Sequence, residues 1–140
     1  MVLPDLKEFA LNDSDLKIQK KALFSISQVD SKEAEEFLFD IAKNHKNIDM
    51  RQDAIFWLGQ AAKSEKVINQ LKDFVLNDKS PEIQEKALFA ISQLEDNQGV
   101  PILIDIAKNH KDTRLRKKAI FWLGQSDDER AAEALEDILY

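Results

Sequence analysis

The chain has 140 residues, of which 44% are hydrophobic and 33% charged, with only three Gly and three Pro, the composition of a single helix-rich domain. Its net charge of −6, with Lys and Arg scattered along the sequence, argues against a nucleic-acid partner, and the absence of Cys excludes disulfides, thiolate metal sites and a Cys nucleophile while leaving the compartment open. No apolar run approaches the roughly 18 residues of a membrane span, and the N-terminus lacks the basic flank and apolar core of a secretory signal, so a soluble chain without membrane insertion is expected.

The sequence contains itself twice. Residues 17–60 and 82–125 align at an offset of 65, matching KALFSISQ to KALFAISQ, DIAKNHK to DIAKNHK and AIFWLGQ to AIFWLGQ. A shorter step lies inside that offset, because Ala-[Leu/Ile]-Phe recurs at Ala22, Ala54, Ala87 and Ala119 with steps of 32, 33 and 32. Each step is the length of one helical hairpin, and two steps make a doublet. The expected division is an opening half-repeat over residues 1–13 and four repeats over 14–45, 46–78, 79–110 and 111–140, each with a first helix A and a second helix B, about nine helices in all.

In chain order, Leu6, Phe9 and Ala10 match Leu71, Phe74 and Val75 at the same offset, so the chain opens on an orphan B helix. The first A helix places Ile18 and Ile26 on its apolar stripe, and the following B helix Leu38 and Ile41. In the second repeat the same levels hold Met50 and Leu58, then Leu71 and Phe74. The third A helix shows the pattern in full, with Ile83, Ala87, Leu88, Ile91 and Leu94 at helical spacing behind a Ser80 N-cap and a first-turn Pro81. Its B helix carries Pro101 early, then Leu103 and Ile106. The fourth repeat ends the series with Leu115 and Leu123 on A, a Ser126–Glu129 capping box, and Leu135 and Ile138 on B. An opening half-unit and an ending at Leu139-Tyr140 suggest either a segment of a longer array or a cap built from half a repeat.

On Met50-Arg51, Ala54-Ile55 and Leu58-Gly59, repeated as Leu115-Arg116, Ala119-Ile120 and Leu123-Gly124 and followed by Arg130-Ala131, the chain resembles the bacterial HEAT-like repeats, the short variety also seen in phycobilin lyases. The resemblance covers residues 6–140 and implies an all-α, right-handed α-solenoid in which B helices line the inner, concave surface. Most such proteins are protein-binding scaffolds and a few are enzymes. The odd repeats depart from the pattern, with Gln19 and Gln84 in place of the Arg and Ser27 and Ser92 in place of the Gly, which weakens the expectation of a continuous Arg ladder.

Two rows remain once the core is subtracted. Asp40, Asp73, Asp105 and Asp137 share one level of the B helices, opposite the apolar face, with Glu8 at that level in the opening helix and Glu36 and Glu133 one turn earlier. On a concave surface they would form a carboxylate row suited to a basic protein or peptide. The competing reading is a solvated face with local pairs from Asp40 to Lys43 and from Asp105 to Lys108. Phe24, Phe56, Phe89 and Phe121 form the second row, on the outer side of the A helices. They either face a partner or another copy of the chain, or cover the groove to the next repeat. Trp57 and Trp122 alternate with Ser25 and Ala90 at the stripe's edge and are expected in the core.

His45 and His110 each end a B helix in Asn-His-Lys, where they are expected to complement exposed carbonyls and the helix dipole. Gln28, Gln60, Gln93 and Gln125 end the A helices as caps. The His-Glu pairs that the resemblance would require of a di-iron hydroxylase are missing, as are a glycine-rich phosphate loop and a nucleophile elbow. The sequence thus points to a non-catalytic scaffold without cofactor or metal. A fragment of a HEAT-like enzyme such as a phycobilin lyase, and a structural spacer, are the alternatives.

Overall fold

The computed structural model describes residues 3–62 and 64–140, which form nine α-helices and one short 3-10 helix, with no strand among them. They group into two compact units, residues 1–61 and 62–140. In the first, α1 (Leu3–Asn12) forms a hairpin with α2 (Leu16–Ser27), α3 (Lys32–Asn44) forms another with α4 (Ile48–Ala61), and α2 lies beside α4. In the second, α5 (Glu65–Asn77) pairs with α6 (Pro81–Ser92) and α7 (Val100–Asn109) with α8 (Thr113–Gly124). There α6 lies beside α8, and α9 (Glu129–Leu139) packs on both α7 and α8. The fold is all-α, with solenoid-like stacking of helical hairpins inside each unit.

The helices form where the 3.6-residue stripe lies, because only helices that bury that stripe against a neighbour gain enough to hold together. Leu23, Ile26, Ile41, Met50, Ile55 and Leu58 are fully buried in the first unit, and Leu71, Ile83, Leu88, Ile91, Leu103 and Ile106 in the second. Position matters as much as pattern. Ile18 was expected at the level of Ile83, Met50 and Leu115, which are completely buried, yet it is 42% exposed. Among the described residues no A-type helix precedes α2 to cover it. Phe9 of α1 is exposed for the same reason, whereas its counterpart Phe74 is buried.

The turn from each B helix to the next A helix is three residues long and is built the same way every time. The first turn residue accepts a hydrogen bond from the backbone N–H two residues on: Asp13 from Asp15 (2.8 Å), His45 from Asn47 (2.9 Å), Asp78 from Ser80 (2.9 Å) and His110 from Asp112 (3.0 Å). This is the Asx-type turn, here with an imidazole standing in for a carboxylate in two of four repeats. Helix N-caps follow directly. Asp15, Asn47 and Asp112 accept from the first-turn amides of α2, α4 and α8, and Ser31 and Ser64 do so for α3 and α5.

Two caps differ from expectation. Ser80 occupies the N-cap position of α6 but gives its hydroxyl to Glu82 (2.6 Å), which holds that carboxylate below its ordinary pKa. Pro81 at the first helical position carries no N–H and has its φ preset for the helix, so the start of α6 has one unpaired donor fewer. The Ser126–Glu129 box does not form. Asp128 caps α9 instead, accepting from the Arg130 backbone N–H (2.8 Å) and from its guanidinium (2.9 and 3.1 Å), while Ser126 Oγ accepts from the Asp128 N–H. An ionised cap held by a cation beats a neutral hydroxyl at a helix N-terminus.

The loop between α6 and α7 is the irregular one. It contains the 3-10 turn Glu95–Asn97, with Asp96 and Asn97 both at positive φ (57° and 56°), a region that Asp and Asn tolerate. It then brings Gly99, the N-cap of α7, against the main chain of α6.

Candidate interaction surfaces

The acids of the B helices all lie on the exposed side: Glu8 on α1, Glu36 and Asp40 on α3, Asp73 on α5, Asp105 on α7, Glu133 and Asp137 on α9. The anticipated pairs with Lys43 and Lys108 are replaced. In three helices the Asp accepts instead from an Asn one turn later: Asp40 from Asn44 (2.8 Å), Asp73 from Asn77 (2.6 Å) and Asp105 from Asn109 (2.9 Å). Lys43 rests over the Phe39 ring, 5.8 Å from its centroid, and Lys108 reaches across to Asp137 of the adjacent B helix (3.6 Å). The four-residue spacing wins because the Asn amide sits at the right height for a direct bond, whereas the long Lys side chains have apolar and charged alternatives nearby. Sequence reading overlooked this Asp-x-x-x-Asn recurrence, although the spacing is visible in the residues.

The phenylalanines are not a free row. Phe24 of α2 packs on Trp57 of α4 with ring centroids 4.9 Å apart, and Phe89 of α6 packs on Trp122 of α8 at 5.2 Å. Within α4 and α8, Phe56 and Phe121 meet the same tryptophans edge-on at 4.9 Å. Each doublet therefore carries an aromatic triplet on the outer side of its A helices, in the T-shaped and tilted geometries that ring quadrupoles favour. Trp57 and Trp122 are half-buried in these triplets, not in the core as expected. The core beneath is already filled by aliphatic side chains, so the indoles bridge neighbouring helices at the surface. Phe24 and Phe121 remain exposed.

The glutamines expected as A-helix caps do less than that. The backbone N–H groups of Gln28, Gln93 and Gln125 close the helix ends, and the side chains of Gln28 and Gln93 bond only to the preceding Ser27 and Ser92. The Arg positions serve the turns. Arg51 donates to the Ala42 carbonyl (2.7 Å) and Arg116 to the His110 carbonyl, and at the equivalent position Gln19 donates to the Asp13 carbonyl (2.8 Å). At Gln19 a shorter neutral side chain thus does the Arg's work, whereas Gln84 accepts from Arg114 of α8 instead (2.6 Å).

His45 and His110 cap with the opposite polarity to that expected: each Nδ1 accepts an N–H rather than donating to a carbonyl. Burial, with Lys46 beside it, holds the His45 imidazole below its ordinary pKa of 6.5. A histidine whose folded-state pKa is depressed adds stability above its unfolded pKa and loses it as pH falls through the folded value. His45→Asp keeps the turn acceptor, as Asp13 and Asp78 show, but stays ionised through this range. Urea midpoints at pH 7.5 and 5.0 should fall more for the wild-type chain than for His45→Asp, and equal losses would disprove this role for the imidazole.

Among the described residues no three His, Asp or Glu side chains approach closely enough to hold a metal ion, and no helix is long and apolar enough to cross a membrane. Both histidines are committed to their turns and are followed by Lys rather than Glu, so the residues present do not fit the His-Glu pairs of a di-iron hydroxylase.

The HEAT-repeat family model matches residues 3–80 and again 68–140. No curated protein matches the sequence. Among solved structures, human deoxyhypusine hydroxylase in complex with glycerol is similar over 97% of this chain, with a TM-score of 0.64 and 17% identity. That likeness is one of fold, and the chain corresponds to 44% of the hydroxylase structure's length. With helical hairpins recurring every 32 or 33 residues and the family model spanning nearly every position, the chain belongs to the HEAT-repeat family.

Proposed function

We propose that the chain is a non-catalytic protein-interaction module whose B helices hold a basic polypeptide segment. The observation that carries this reading is the exposed acid at one level of every B helix, Glu8, Asp40, Asp73, Asp105 and Asp137, three of them oriented by an Asn on the following turn. An amide bonded to one carboxylate oxygen fixes the side chain's rotamer, so less freedom is lost when a cation arrives. Asp137 contributes least, being shared with Lys108. The spacing of the repeats supports the short variety of HEAT repeat. Exposed carboxylates act more through steering and selectivity than through affinity, so binding should be strongly salt-dependent.

The test is capture of binding proteins on the immobilised chain at low and high salt, compared with the triple variant Asp40→Lys, Asp73→Lys, Asp105→Lys. Basic polypeptides should be retained by the wild-type chain at low salt only, and the variant should lose them. Undiminished retention by the variant would remove the acid row from the binding face.

A further inference from the structure

The seam between the A helices of each unit is built to one rule, and α8 carries residues of that rule on its open side. In the first unit, α2 offers Lys20 and Phe24 to α4, which answers with Asp53 (3.9 Å) and Trp57 (centroids 4.9 Å apart). In the second, α6 offers Glu85 and Phe89 to α8, which answers with Arg114 (2.7 Å), Lys118 (3.5 Å) and Trp122 (5.2 Å). Each seam joins one charge to its opposite and, one turn along, one Phe to one Trp. In register, the positions of Lys20 and Phe24 recur on α8 as Lys117 and Phe121.

Lys117 and Phe121 are both exposed, the ring by 54%, and with Thr113, Arg114 and Lys118 they line an open groove along α8. Beside them Ile120 is only half-buried, although the residues in its register on the other A helices, Leu23, Ile55 and Leu88, are fully buried. No described helix covers this side of α8.

We propose that this surface docks an amphipathic helix of a partner protein that carries Asp or Glu and, four residues later, a large aromatic side chain. The carboxylate would meet Lys117, the aromatic ring would meet Phe121, and the apolar face between them would cover Ile120. Charge decides against a second copy as occupant. The positions by which α2 would approach in such an array, equivalent to Arg114 and Lys118, are Lys17 and Lys21, and these would face Lys117 with like charge. The helix that fits by pattern is of the α4 type, with Asp49, Asp53 and Trp57 on one face.

The probe is a fluorescein-labelled, stapled peptide of residues 47–61, titrated with the whole chain and followed by anisotropy. Saturable binding is expected, weakened about tenfold by Lys117→Glu and by Phe121→Ala and unchanged by Lys20→Glu. A peptide bearing Asp53→Lys should bind poorly to the wild-type chain and regain affinity for Lys117→Glu. These variants leave the B-helix acids untouched, so the outcome is independent of the proposed function. Absence of saturable binding at millimolar chain, indifference to Lys117→Glu and Phe121→Ala, or equal binding of a basic peptide of residues 15–28 would overturn the proposal. So would self-association of the chain that Phe121→Ala abolishes, since the occupant would then be a second copy.

Discussion

Gly99→Ala should destabilise the second unit by about 3 kcal/mol or more, seen as a large drop in denaturation midpoint. A Cβ built on Gly99 falls 2.0 Å from the Ile91 carbonyl oxygen and 2.9 Å from its carbon. These are main-chain atoms in the last turn of α6, so no rotamer change relieves the overlap, and the same oxygen accepts the Leu94 N–H that closes the helix. The backbone of Gly99 itself is ordinary (φ −77°), which makes close approach, not turn geometry, the reason for glycine here. Gly124, at the end of α8, is the control: nothing lies within 4 Å of its Cβ position, and Gly124→Ala should stabilise by about 0.5 kcal/mol. Similar effects of the two substitutions would refute the packing argument.

Leu88→Ala should cost about 3 kcal/mol, within the range for a fully enclosed leucine that leaves a cavity behind. Ile120→Ala, in the same register one repeat on, should cost roughly 1 kcal/mol, because its side chain already meets water on one side. The two side chains are isomers at one register of neighbouring A helices, α6 and α8, within closely related sequence, so enclosure is the main difference between them. Equal costs would mean that Ile120 is enclosed in solution and that the groove on α8 is closed.

The helices were legible because their information is redundant. Ile83, Ala87, Leu88 and Ile91 repeat a stripe seen in every A helix, and all four are buried as their spacing demands. What escaped was each choice between two locally acceptable partners. Ser126 and Asp128 are both competent N-caps, and the Arg130 cation selects the second. Lys43 and Asn44 both lie near Asp40, and the Asn prevails because Lys43 has the Phe39 ring. The indoles of Trp57 and Trp122 have the composition of core and the position of surface, a distinction set by the neighbouring helix rather than by their own. Of the candidate surfaces, the exposure of the acids followed from helical phase alone, whereas the groove on α8 depends on which side of a repeat is left uncovered, and periodicity is blind to that.

The two aromatic triplets also divide the molecule optically. Trp57 lies in residues 1–61 and Trp122 in residues 62–140, and the chain has no other tryptophan. Each doublet therefore owns a single tryptophan, seated against a phenylalanine of the neighbouring helix, so the emission of that indole follows the seam between two helices and not the chain as a whole. Repeat proteins lose structure one neighbour at a time, and Trp57→Phe and Trp122→Phe would turn this chain into a matched pair of reporters, each blind to the melting of the other half.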